Sequence, residues 1–178
     1  MEPGMNDPRT AGWYTTYAAI RADCYAMLAS LLGQAPSETT IRLLQDLHWN
    51  DAILGKLDRA LRKIRQAACE IVRSEIESEF NRLFVGMGFG ELVPYASWYR
   101  ERSIQSSPLA ALRADLMRLG IVRQPDSYES EDHAGALCEV MTLLSREAGG
   151  ASHAAQAEFF TTHIASWMLH FFEDLRSA

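Results

Sequence analysis

Apolar side chains recur at gaps of three and four residues over almost the whole chain, and no segment shows the two-residue alternation that a half-buried strand needs. From Trp13 to Leu32 the stripe is Tyr17, Ile20, Cys24, Met27, Leu28, Leu31 and Leu32, and Gly33 followed by Pro36 ends it. Ser37 caps a second helix through Ile41, Leu44 and Leu47, and Asp51 opens a third carrying Leu57, Leu61 and Ile64. Cys69, Val72, Ile76, Phe80, Leu83 and Phe84 mark a fourth, which fails at Gly86. Ser107 and Pro108 start a helix closed by Gly120, Asp126 with Glu129 forms a capping box for one from about 129 to 147, and a last helix runs from about 152 to 175. The spacing predicts an all-α fold: a single globular bundle of six to seven helices. Residues 1–10 are expected to be a flexible start and 11–178 one helical domain, with a long loop at 86–106 between its N-terminal and C-terminal helix groups.

Composition narrows the function. A hydrophobic fraction of 48% and a charged fraction of 22% over 178 residues are those of an ordinary globular domain. A net charge of -6 lacks the concentrated basic surface that nucleic acid requires, and makes a basic peptide the better partner. Cys24, Cys69 and Cys138 are scattered, each in an apolar helical context, and read as buried thiols in a reducing cytosol. The first ten residues hold no apolar signal core, and the most apolar runs, YAMLASLL and IASWMLHFF, fall short of the roughly 20 residues that cross a bilayer. A cytoplasmic protein with no stable membrane insertion is expected.

Catalytic signatures are missing from the chain. None of His48, His133, His153, His163 and His170 has a glutamate three residues before it, which excludes the carboxylate-bridged di-iron pattern. No His-Glu-x-x-His or Gly-x-Ser-x-Gly occurs. Gly86, Gly88 and Gly90 follow no strand and precede no Gly-Lys-Ser/Thr, so they do not form a phosphate loop. His163, Trp167 and His170 fall on one helical stripe and are read as core packing. No catalytic residue, metal or cofactor is expected. The most unusual local feature is EDHAGALCEVMTLL, residues 131–144. Acids in the first turn of a helix complement its dipole, but a histidine cation is disfavoured there, so His133 calls for a local partner or a ligand.

Four segments occur in order: Glu79–Gly86 (EFNRLFVG), Pro94–Tyr99 (PYASWY), Glu129–His133 (ESEDH) and Phe159–Trp167 (FFTTHIASW). Together they resemble the TorD/DmsD/NarJ family of redox-enzyme maturation chaperones, whose pattern includes a Leu-Phe-x-Gly segment, a Pro-Tyr-x-Ser-x-Tyr loop, a Glu-Pro-x-Asp-His helix start and a late His-Leu-x-x-Trp. Ser130, Ala96, Met87 and Ser166 depart from it. The resemblance implies a non-enzymatic, TorD-like helper, monomer or homodimer, that binds the apo form of a molybdenum-containing oxidoreductase, its twin-arginine leader peptide, or both, and assists cofactor insertion. A receptor for such a leader needs an apolar groove with acids at one end. Glu129, Glu131, Asp132 and His133 are the expected charged end; Phe80, Leu92, Pro94, Tyr95, Trp98 and Tyr99 are the expected lining. Burying roughly 400 Å² at about 25 cal/mol per Å², less the ordering of a flexible peptide, gives releasable binding on the order of micromolar. The rival readings are a general helical adaptor and a small helical metal- or haem-binding protein using His133, His163 or His170.

Overall fold

The computed structural model describes residues 8–47, 55–86, 90–101, 107–124, 129–146 and 152–178. The described residues form nine α-helices: α1 (Pro8–Gly33), α2 (Glu38–Gln45), α3 (Lys56–Glu70), α4 (Arg73–Phe80), α5 (Ala96–Glu101), α6 (Ser107–Arg118), α7 (Ala134–Arg146), α8 (His153–His163) and α9 (Met168–Ser177). A π-turn over Asn81–Val85 prolongs α4. The all-α expectation holds, and among these residues the extended pairing is confined to one isolated bridge, Tyr95 to His133. The chain divides into two units, Met1–Gly33 with Val93–Ala178, and Gln34–Leu92.

In the first unit α7 is the central helix, with nine of its 13 residues buried, so almost no side of it is polar. It packs along α1, whose Ala22, Ala29 and Leu32 are buried, as are Leu137, Cys138, Met141 and Leu144 of α7. The approach is closest at the helix start, where a Cβ added to Gly135 would lie 3.1 Å from the backbone of Gly33. Helices α8 and α9, expected as one, are separated at Ile164–Trp167. The break turns the Trp167 indole back to donate to the His163 carbonyl at 2.7 Å and seats its ring against Tyr99 and Phe171.

In the second unit the expected fourth helix is cut at Ile71–Val72, two adjacent β-branched residues in extended conformation between α3 and α4. The π-turn ends at Gly86, whose φ of 56° reverses the chain in a region glycine tolerates. The segment from Gly90 satisfies carbonyls the helix end leaves open: Glu91 N–H donates to Arg82 O at 3.2 Å and Leu92 N–H to Leu83 O at 2.8 Å. Gly90 makes that approach possible. Gly86 and Gly90 thus serve a chain reversal, and Gly88 lies outside the described residues.

Other expectations shift locally. The 86–106 segment is not continuous loop but carries α5. Helix α1 begins at Pro8, inside the stretch expected to be flexible. The openings assigned to Asp51 and Asp126, and His48, lie outside the described residues. Cys138 is buried, which pushes its thiol up to about 12. Cys69 departs from expectation by facing solvent on α3, and Cys24 is half-buried.

Candidate functional site

Two segments far apart in the sequence meet at the bridge. Ala96 N–H donates to the Asp132 carbonyl at 3.0 Å, and Ala134 N–H donates to the Pro94 carbonyl at 2.8 Å. Both segments are helix starts, so the bridge ties the N-terminus of α5 to that of α7. The Asp132 carboxylate strengthens it: Oδ2 accepts from Ser97 N–H at 2.9 Å and Oδ1 from the Ser130 hydroxyl at 2.6 Å. Helix α5 therefore receives its acidic cap from a residue 35 positions away, and a negative charge at a helix N-terminus is favourable. His133 caps its own helix. Its Nδ1 accepts from Gly135 N–H at 3.1 Å, where serine or aspartate usually supplies an oxygen, which leaves the imidazole proton on Nε2.

This geometry corrects the sequence-based account of the Asp-His pair. The helix begins at Ala134 and not near 129, so Glu131 and Asp132 precede its first turn. Asp132 is 2% exposed with both oxygens engaged, and is placed to cap α5 rather than to meet an external cation. Pro94 is buried too, and its carbonyl is the part in use. Ser97 anchors its segment by its amide, and its hydroxyl finds no partner among the described residues.

Burial pushes the His133 pKa below the ordinary histidine value, outweighing the upward pull of Glu129 and Asp132. Below about pH 6.5 the unfolded chain takes up a proton that the folded chain still refuses, so stability contributed by the neutral imidazole is lost as pH falls. Urea midpoints at about pH 7.5 and about pH 5.5 are expected to differ less for His133→Asn, which keeps a capping oxygen without titrating. Equal pH dependence in both proteins counts against the buried cap.

The remaining candidates divide by exposure. Glu129 is exposed and accepts a hydrogen bond from the Tyr95 hydroxyl; burial and that carboxylate raise the Tyr95 pKa. The Tyr95 ring meets His133 edge-on at 5.1 Å. Glu131 holds a two-pronged pair with Arg113, Nε to Oε1 at 3.2 Å and Nη2 to Oε2 at 2.9 Å, and the guanidinium lowers the Glu131 pKa. Tyr99 belongs to the packing, stacked near Trp167 and Phe171 with its hydroxyl on Asp174 at 2.8 Å. Trp98 remains 36% exposed. Phe80 is half-buried beside Phe84, ring centres 5.0 Å apart, in the second unit.

An apolar trough of about 220 Å³, which the sequence did not reveal, lies within the first unit. Leu116, Ile121, Val122, Val140 and Leu143 form much of it, and Glu129, Glu131 and Glu139 stand along it with Arg123 and Gln124. The C-terminus of α6 builds one wall. Ile121 N–H donates to Leu116 O at 2.9 Å and Gly120 N–H to Met117 O at 3.1 Å, the paired bonds of a Schellman cap with Gly120 at φ 70°. Both apolar residues that such a cap juxtaposes line the trough. The available signal was Ile121-Val122, an apolar pair beyond the closing glycine; Val122 is 85% exposed.

The core-packing reading of the late histidines holds for His163 and not for His170. His163 is buried with Nε2 2.8 Å from Asp115, beside the Phe159 ring, and His170 is exposed on α9. Among the described residues no group of three or more His, Cys, Asp or Glu is placed to hold a metal, and no helix is long and apolar enough to cross a membrane.

Comparison with known proteins adds two findings. The family model described as nitrate reductase delta subunit matches residues 50–173, more than half of the chain. A crystal structure from Archaeoglobus fulgidus, named for redox enzyme maturation, superposes with a TM-score of 0.58 at 16% identity, covering 87% of this chain and 82% of that one. At that identity the likeness concerns the fold. No curated protein matches.

Proposed function

Since the chain belongs to the nitrate reductase delta subunit family, among the redox-enzyme maturation chaperones whose motifs it carries, we propose that it captures the twin-arginine leader of a molybdenum oxidoreductase in the cytoplasm, holding the apo form until its cofactor is inserted. The observation that carries this reading is the trough: an apolar surface with three carboxylates along it suits a segment that joins arginines to an apolar stretch. Glu129 and Glu131 are its proposed charged contacts, and Val122 and Leu143 its apolar ones. Trp98 is proposed to extend the apolar contact. Asp132, His133, Pro94 and Tyr95 act by positioning the acids. No bond chemistry is required of the chaperone; it binds, shields and releases.

The test is calorimetric titration with a synthetic leader. Replacing both arginines by glutamine, or Leu143→Asp in the protein, is expected to weaken binding about tenfold or more, since about 1.4 kcal/mol of lost contact suffices. Binding indifferent to both changes overturns the reading and favours a general helical adaptor.

A further inference from the structure

We infer that Arg113 is a built-in competitor for the leader's arginines, occupying the Glu131 carboxylate until a client guanidinium replaces it. The inference rests on the peptide-capture reading and concerns the regulation of that site. Glu131 stands on the trough, and the guanidinium that now fills both its oxygens comes from α6 of the same chain. The two partners are unequally placed: the Arg113 side chain is 54% exposed and that of Glu131 15%. Arg113 can therefore leave into water with little penalty, whereas Glu131, held beside the bridge, stays at the rim and needs a replacement cation.

Two consequences follow from exchanging one guanidinium for another. Part of the gain from a client arginine is cancelled by the lost internal pair, which keeps binding releasable. Arginine is favoured over lysine at Glu131 because an ammonium cannot reproduce two parallel N–H to carboxylate bonds, and the cost of displacing Arg113 is the same for both. Arg113 thus sets how tightly the leader is held, while the choice of arginine resides in the Glu131 carboxylate.

Arg113→Ala is expected to tighten binding of the twin-arginine leader roughly threefold to fivefold, the scale of an exposed ion pair. The preference for that leader over a twin-lysine version is expected to stay the same or widen, because the internal pair that is lost is common to both ligands. Arg113→Lys, which retains the charge without the fork, should fall between alanine and the wild type. In a Glu131→Gln background, Arg113→Ala should change nothing, which separates release of Glu131 from general removal of positive charge. Arginine-dependent binding by the wild type that Arg113→Ala leaves equal or weaker overturns the role of Arg113 alone. A wild type that binds without regard to the arginines overturns peptide capture and this inference with it.

Discussion

Asp132→Ala is expected to destabilise the protein by about 3 kcal/mol, read from urea unfolding at neutral pH, because it strips partners from two donors at once. Ser97 N–H is buried at the first turn of α5 and its acceptor is the Asp132 carboxylate; the Ser130 hydroxyl loses its acceptor as well. The helix also loses the negative charge at its N-terminus. Asp132→Asn retains one carbonyl oxygen and should lose about half as much. A loss below about 1 kcal/mol for alanine would mean that water or a neighbour replaces the carboxylate, and that the cap is dispensable. The comparison matters for function too. A leader-binding defect in Asp132→Ala reports a loosened bridge, whereas one in Glu131→Gln, at a partly exposed carboxylate on the trough, reports contact.

Gly90→Ala is expected to cost at least about 3 kcal/mol, or to unfold the 34–92 unit outright. A Cβ at this position would lie 2.3 Å from the Leu83 carbonyl oxygen and 2.6 Å from the carbonyl carbons of Leu83 and Phe84. These are backbone atoms, so no rotamer change relieves the overlap. The segment has to lift, and with it go the bonds from Glu91 and Leu92 to the end of the π-turn. Gly33→Ala is the matched control: a Cβ there meets nothing within 4 Å, and the change is expected within about 0.5 kcal/mol of neutral. Similar thermal shifts for the two variants would refute the close-approach account of Gly90.

The helical character of the chain was legible because three- and four-residue spacing is a local property that burial then rewards. The breaks were not. Ile71–Val72 and Ile164–Trp167 carry apolar residues that continue the stripe on either side, and the bond from the Trp167 indole back to His163 that accompanies the second break is not encoded in spacing. The polar cluster at 129–133 is visible in the sequence, and the local partner that His133 requires is Gly135 N–H. The other half of the answer was hidden, since the amide Asp132 serves is 35 residues upstream. The aromatic lining expected from Tyr99 was taken up by packing against Trp167 and Phe171. The apolar trough went unread because its wall is made by a helix cap, where Ile121 and Val122 fall outside any helical stripe.

The bridge at Tyr95 and His133 makes two sequence motifs into halves of one device. Pro94 lends its carbonyl to the start of α7, and Asp132 lends its carboxylate to the start of α5, so neither segment is complete by itself. Selection acting on either is felt by both, and an altered residue on one side can be tolerated only as far as the opposite side accommodates it. Changes along the trough rim leave these bonds in place, while changes in the bridge do not.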